Sequence, residues 1–152
     1  MNWQISTFSQ LDTDTLFSLL KARVDVFVVE QQCAYPELDE IDRQSDTFHV
    51  MAYEQGELCA YARVYRKSAS ECAIGRVLVM PSARGKGLAA PLMQTAIEVC
   101  DTHFKGNDVV LSAQTYLLKF YQSTGFVIEG EEYLEDGIPH QDMRLTRRFK
   151  RG

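Results

Sequence analysis

The chain has 152 residues, 45% of them apolar and 24% charged, which excludes disordered, collagen-like and coiled-coil classes and fits one domain spanning 1–152. Lysine and arginine number 16 against 21 aspartates and glutamates, a formal net charge of −5 that argues against non-specific binding to nucleic acid or to an anionic membrane. No apolar run approaches the roughly 20 residues that span a bilayer. The start, Met1-Asn2-Trp3-Gln4-Ile5-Ser6, lacks the basic segment and apolar run of a secretory leader. Cys33, Cys59, Cys72 and Cys100 stand apart, without Cys-x-x-Cys spacing, so neither a metal site nor a redox motif is expected. The expectation is a soluble, cytoplasmic protein with reduced cysteines.

In chain order, Leu16, Leu19, Leu20, Val24, Phe27 and Val28 place one apolar stripe on a helix over 13–28, with Asp12 or Asp14 as its cap. The acidic segment Glu37-Leu38-Asp39-Glu40-Ile41-Asp42 follows as a loop. Two β-rich runs, 48–54 and 57–66, flank Gln55-Gly56 and read as a hairpin. Arg63 and Arg76, within predicted strands, are expected on an exposed sheet face. A third run from Cys72 to Met80 ends at Pro81. Helical spacing returns after Gly87, with Leu88, Leu92, Ala96, Val99 and Cys100 on one face as far as His103 or Phe104.

Val109-Val110-Leu111 reads as a central strand, 116–123 as a short helix stopped by Gly125, and 126–133 and 141–148 as two last strands. Between those strands, Glu135-Asp136-Gly137-Ile138-Pro139 is a turn. The order βα(α)βββαβαββ predicts an α/β fold with a mixed sheet, antiparallel early and with a parallel crossover between the third long strand and Val109.

The chemistry concentrates in Val77-Leu78-Val79-Met80-Pro81-Ser82-Ala83-Arg84-Gly85-Lys86-Gly87-Leu88-Ala89, a strand, a glycine-bearing loop and a helix start. Free amides at a helix N-terminus attract phosphate, Gly85 and Gly87 let the backbone approach it, and Arg84 and Lys86 add charge. The loop has neither the Gly-x-x-x-x-Gly-Lys-Ser/Thr spacing of a nucleotide-hydrolysing loop nor the Gly-x-Gly-x-x-Gly dinucleotide fingerprint. A plain βα turn with solvated cations is the alternative reading of these residues alone.

Arg84-Gly85-Lys86-Gly87-Leu88-Ala89 resembles the Gln/Arg-x-x-Gly-x-Gly/Ala pyrophosphate loop of the GNAT superfamily of acyl-CoA-dependent N-acyltransferases. Phe120-Tyr121-Gln122-Ser123-Thr124-Gly125-Phe126 resembles that family's second conserved segment, in the expected order. Ala113-Gln114-Thr115 and the Glu135–His140 turn are similar to the ElaA-like bacterial branch.

The resemblance implies a central mixed sheet of six to seven strands flanked by about four helices. It also implies transfer of an acetyl group from acetyl-CoA to a primary amine in a direct ternary complex, without a metal. An inactive CoA-binding sensor on the same fold is the alternative, and a homodimer is an option through strand-edge pairing.

By the same resemblance, Leu78 and Val79 offer backbone groups to the pantetheine arm where two parallel strands splay. Arg84, Gly85, Lys86, Gly87, Leu88 and Ala89 bind pyrophosphate through their amides, and Gln114 contacts the cofactor arm. Tyr121 is the general acid that protonates the leaving thiolate, and the Val79 amide is the oxyanion donor. The strand Ile74–Met80 lacks the glutamate that many relatives use as base. Glu37, Asp39, Asp42, His49, Glu71 and His140 therefore remain candidates for that role, with Glu37, Asp39 and His140 expected at the acceptor site.

Overall fold

The computed structural model describes residues 1–147. Seven strands form one sheet in the spatial order β1-β2-β3-β4-β5-β7-β6. They are β1 (Asn2–Ser6), β2 (Phe48–Glu54), β3 (Glu57–Ser68), β4 (Glu71–Val79), β5 (Asp108–Gln114), β6 (Val127–Glu135) and β7 (Ile138–Leu145). The helices are α1 (Thr13–Arg23), α2 (Ala89–His103) and α3 (Leu118–Ser123). Every neighbouring pair is antiparallel except β4–β5, so the single crossover predicted from the sequence is present and α2 provides it.

Local chemistry accounts for the elements. The β2–β3 hairpin turns on Gln55 and Gly56, both with positive φ (52° and 79°), the backbone of a two-residue turn matched to strand twist. Asp12 caps α1, its carboxylate accepting from the Thr15 amide at 2.7 Å. The helix expected over 13–28 keeps α geometry only to Arg23 and then widens into a π-helical segment, Val24–Glu30. Among the described residues three α-helices flank the sheet, where the family resemblance implied about four. The final turn is tighter than predicted: Asp136 and Gly137 alone carry positive φ, and Ile138 and Pro139 already belong to β7. Residue 148, placed in the last strand from the sequence, lies outside the described residues.

Two apolar layers sandwich the sheet. Val50, Ala62, Val64, Val109, Leu111, Ala113 and Met143 face α2 and α3, whereas Met51, Tyr61 and Leu78 face α1 with Leu19, Ala22 and Val26. By strand alternation the α1 face also receives Arg63 and Tyr65 of β3, Ser112 and Gln114 of β5, and His140, Asp142 and Arg144 of β7. Because α1 covers only the β2–β4 end, this polar half of the sheet stays open.

Candidate active site

β4 and β5 pair only over Glu71–Ala73 and Asp108–Val110; beyond Ala73 they part. A bulge drives the separation: Tyr61 pairs with Leu78 but Arg63 with Gly75, so β4 carries one extra residue there. The residue in the bulge is Arg76, at φ 52°, a left-handed conformation that costs a non-glycine residue about 1–2 kcal/mol. Its side chain offsets that strain, with Nε 2.8 Å from Glu37 Oε2 and Nη2 3.0 Å from the Glu37 carbonyl.

The opened edge of β4 is the first part of the site. The Met80 amide donates to the Cys59 carbonyl on β3 at 2.8 Å. Backbone alternation therefore turns Val79 away from β3 and toward the gap. Its carbonyl accepts from Arg84 Nε at 2.9 Å. The same alternation turns Leu78 toward its partner Tyr61, which corrects the expectation that Leu78 offers free backbone groups to an incoming chain.

Following β4, Arg84, Gly85, Lys86 and Gly87 stand exposed, while the Leu88 side chain is buried and anchors the loop. Gly85 and Gly87 carry φ of 78° and 72°. Among the described residues the amides of Gly85, Lys86, Gly87, Leu88, Ala89 and Ala90 donate to no protein acceptor, a cradle for an anion at the start of α2. Arg84 stands outside the cradle: its amide donates to the Pro81 carbonyl at 3.4 Å, which corrects its expected amide contact with pyrophosphate, and Nη1 and Nη2 grip both carboxylate oxygens of Glu30 at 2.6 and 2.8 Å, tying the loop to the π-helical segment.

Nothing lies within 4 Å of a Cβ built on Gly87, so Gly87→Val strains backbone without a packing clash. We expect acetyl-CoA affinity to fall at least about tenfold, read by calorimetric titration, and the melting temperature to fall by only the few degrees that about 1–2 kcal/mol of backbone strain costs, read by thermal unfolding.

A cleft of about 580 Å³ occupies the open half of the α1 face and reaches the β4–β5 gap. It brings together Glu71, Gln114, Tyr121 and His140 from the sequence-predicted set. Tyr121 belongs to the layer beneath α2 and enters the cleft through the gap, packed edge-on against Phe120 and Phe126. Burial pushes its hydroxyl up to about 12, with Tyr116 adding to the shift. Gln114 Nε2 donates to Oε1 of Gln31, the residue that ends the π-helical segment, at 3.3 Å. His140 Nδ1 donates to the Ile138 carbonyl at 2.7 Å, and its Nε2 lies 3.5 Å from Glu135 Oε2.

The acidic segment stands elsewhere. Glu37 and Asp39 do not line this cleft. Glu37 accepts from Arg23 and Arg76, Asp42 from Arg23 and Arg63, and Asp39 from Arg63. Three arginines thus neutralise three carboxylates, which corrects the reading of Glu37 and Asp39 as attractors of a cationic amine. It also corrects the placement of Arg63 on an exposed face, since Arg63 is 2% exposed.

His49 is buried between Tyr61 and the Asp42 carbonyl, and Glu71 is held by Arg144 at 2.5 Å, so both are committed to structure. Ser112, Tyr133 and Asp142 line the cleft and escaped the sequence reading. Their shared face follows from strand parity, but their adjacency needs the β5–β7–β6 order.

A family model described as acetyltransferase (GNAT) domain matches residues 18–147. Protein ElaA of Escherichia coli (strain K12) is 40% identical over 145 residues, 94% of this chain and 95% of ElaA. The crystal structure of Escherichia coli ElaA superposes with a TM-score of 0.90 at 40% identity, covering 95% of this chain and 99% of that one. That of an acyl-CoA N-acyltransferase from Pseudomonas aeruginosa also gives 0.90, at 41% identity over 94% of this chain and 97% of that one. With the splayed β4–β5 pair, the amide-rich loop and a match over nearly its whole length, the chain belongs to the GNAT acetyltransferase family as a homologue of ElaA.

Proposed function

We propose that the protein transfers an acetyl group from acetyl-CoA directly to a primary amine within one ternary complex. The observation that carries the reading is the succession of three features along one stretch of chain: the cleft wall at Gly75, Arg76 and Val77, which Tyr121 also lines, the open edge of β4 at Val79, and the unpaired amides of 85–90. The pyrophosphate fits the amide cradle, and the pantetheine arm fits the gap, where Val79 and Gln114 supply hydrogen-bonding groups. That path delivers a thioester to the floor of the cleft. The Val79 amide polarises its carbonyl, and the Tyr121 hydroxyl donates to the sulfur as the thiolate departs.

No covalent acyl-enzyme is required, because the amine itself attacks the thioester. The amine enters beside the β6–β7 turn, where Glu135 and Asp136 line the cleft and attract a cation. The test is release of free CoA thiol from acetyl-CoA in the presence of a panel of primary amines, with the acetylated amine identified by mass. Amine-dependent thiol release supports the reading; tight acetyl-CoA binding without release with any amine overturns catalysis and leaves a CoA-binding sensor.

A further inference from the structure

Ser112 on β5 and Asp142 on β7 face one another in register, and Tyr133 of β6 bridges them. The Tyr133 hydroxyl donates to Asp142 Oδ1 at 2.6 Å and is hydrogen-bonded to Ser112 Oγ. The direction of this chain is forced. An ionised carboxylate only accepts, so Tyr133 donates to Asp142; the tyrosine oxygen is then the acceptor for the Ser112 proton, and Ser112 Oγ is left with lone pairs toward the cleft. Burial and the neighbouring Asp142 carboxylate push the Tyr133 hydroxyl up to about 12, so it conducts a proton without resting as an anion. Its ring runs roughly parallel to that of His140, centroids 6.1 Å apart at 24°, and the two hydrogen bonds hold the hydroxyl between its partners.

The other charged groups of this wall are occupied. Arg144 of β7 holds Glu129 of β6, Glu71 of β4 and Asp108 of β5, and His140 Nε2 lies toward Glu135. Asp142 is solvent-exposed, so it can return a proton to water.

Resting on the acyl-transfer reading above, we propose that Ser112, Tyr133 and Asp142 form a directed proton relay that serves as the general base of the reaction. A neutral amine attacks the thioester carbonyl, and its nitrogen becomes cationic as the C–N bond forms. That nitrogen gives a proton to Ser112 Oγ, Ser112 gives its own to Tyr133, and Tyr133 gives its own to Asp142. One N–H bond is broken and one carboxylic O–H is formed, while the serine and tyrosine hydroxyls are regenerated. The uncharged nitrogen then stays bonded to carbon while the C–S bond breaks and the thiolate leaves. Ser112 is the catalytic residue; Tyr133 and Asp142 act through it.

The experiment measures CoA thiol release from acetyl-CoA with n-butylamine and with hydroxylamine, as a function of pH, for the parent, Ser112→Ala, Tyr133→Phe, Asp142→Asn and His140→Gln. Tyr133→Phe keeps the ring on His140 and removes only the hydroxyl. With n-butylamine each relay variant is expected to lose about tenfold in kcat, water in the open cleft replacing part of the function.

With hydroxylamine, whose nitrogen is far more acidic once acylation begins, the loss shrinks to within about threefold; a merely structural role depresses both amines equally. Equal losses with both amines, no loss, or an n-butylamine-selective loss in His140→Gln alone would overturn the relay. Absence of thiol release from the parent with both amines, despite acetyl-CoA binding, would overturn the acyl-transfer reading itself.

Discussion

Tyr121→Phe is expected to lower kcat for acetyl transfer roughly 10- to 100-fold while leaving acetyl-CoA affinity within about twofold. The magnitude follows from proton affinities. With Tyr121 at about 12 and an ordinary thiol near 8.5, full proton transfer from tyrosine to thiolate is uphill. The hydroxyl therefore works first as a hydrogen-bond donor to charge developing on sulfur, an interaction worth about 1.5–3 kcal/mol. The phenyl ring retains the edge-on packing with Phe120 and Phe126, so the fold is undisturbed. Affinity is carried by the loop amides, which the substitution does not touch. Single-turnover thiol release with calorimetric titration separates the two effects; unchanged turnover would remove Tyr121 from the chemistry.

Arg23→Met is the second large effect, on stability. Arg23 is fully buried and donates to Glu37 Oε2 at 2.7 Å, to Asp42 Oδ1 and Oδ2 at 2.6 and 3.1 Å, and to the Glu37 carbonyl at 2.9 Å. Removing it leaves Glu37 with Arg76 and Asp42 with Arg63, each short of one partner in a dry environment. Breaking a buried pair from one side costs about 3–5 kcal/mol, or about 10 °C in melting temperature for a chain of this size. A melting temperature within about 2 °C of the parent would show that the network contributes little.

The same network sets acid sensitivity. Burial opposes ionisation of Asp42, but the Arg23 hydrogen bond and charge win and hold its carboxyl at about 2. The unfolded chain protonates Asp42 near 3.9, so this contribution is complete above about pH 4 and disappears as pH falls toward 2. Burial lowers the His49 imidazole below its ordinary value despite the nearby Asp42. The unfolded chain thus takes up that proton first below about pH 6.5, again destabilising the native state in acid. Denaturant midpoints should decline in two stages on acidification, and Asp42→Asn should shrink the stage below pH 4, to which Asp12, Glu30 and Glu129, also held below their ordinary values, contribute.

Local signals were legible and long-range ones were not. The Gln55-Gly56 turn, the α2 stripe and the glycine-bearing loop are written in neighbouring residues, and each forms where the pattern places it. Arg23 was readable in principle: it lies four residues after Leu19 and three before Val26, on the apolar stripe, where a charge needs a buried partner. Arg63 and Arg76 read as surface residues because strand alternation gives the face but not what covers it; their partners come from a loop 24 and 39 residues away. The bulge at Arg76 is invisible without the β3 register. Ser112, Tyr133 and Asp142 meet only because β7 inserts between β5 and β6, an order that no local pattern encodes.

The central claim is that the loop after β4 and the β4–β5 gap bind a CoA thioester, and thermal unfolding of the purified chain titrated with acetyl-CoA, CoA and ATP tests it most directly. At 100 times the dissociation constant a native-state ligand adds about 2.7 kcal/mol, so acetyl-CoA and CoA should raise the melting temperature by about 5–10 °C and ATP should not. A response confined to ATP, or no response to either CoA species, would contradict the account.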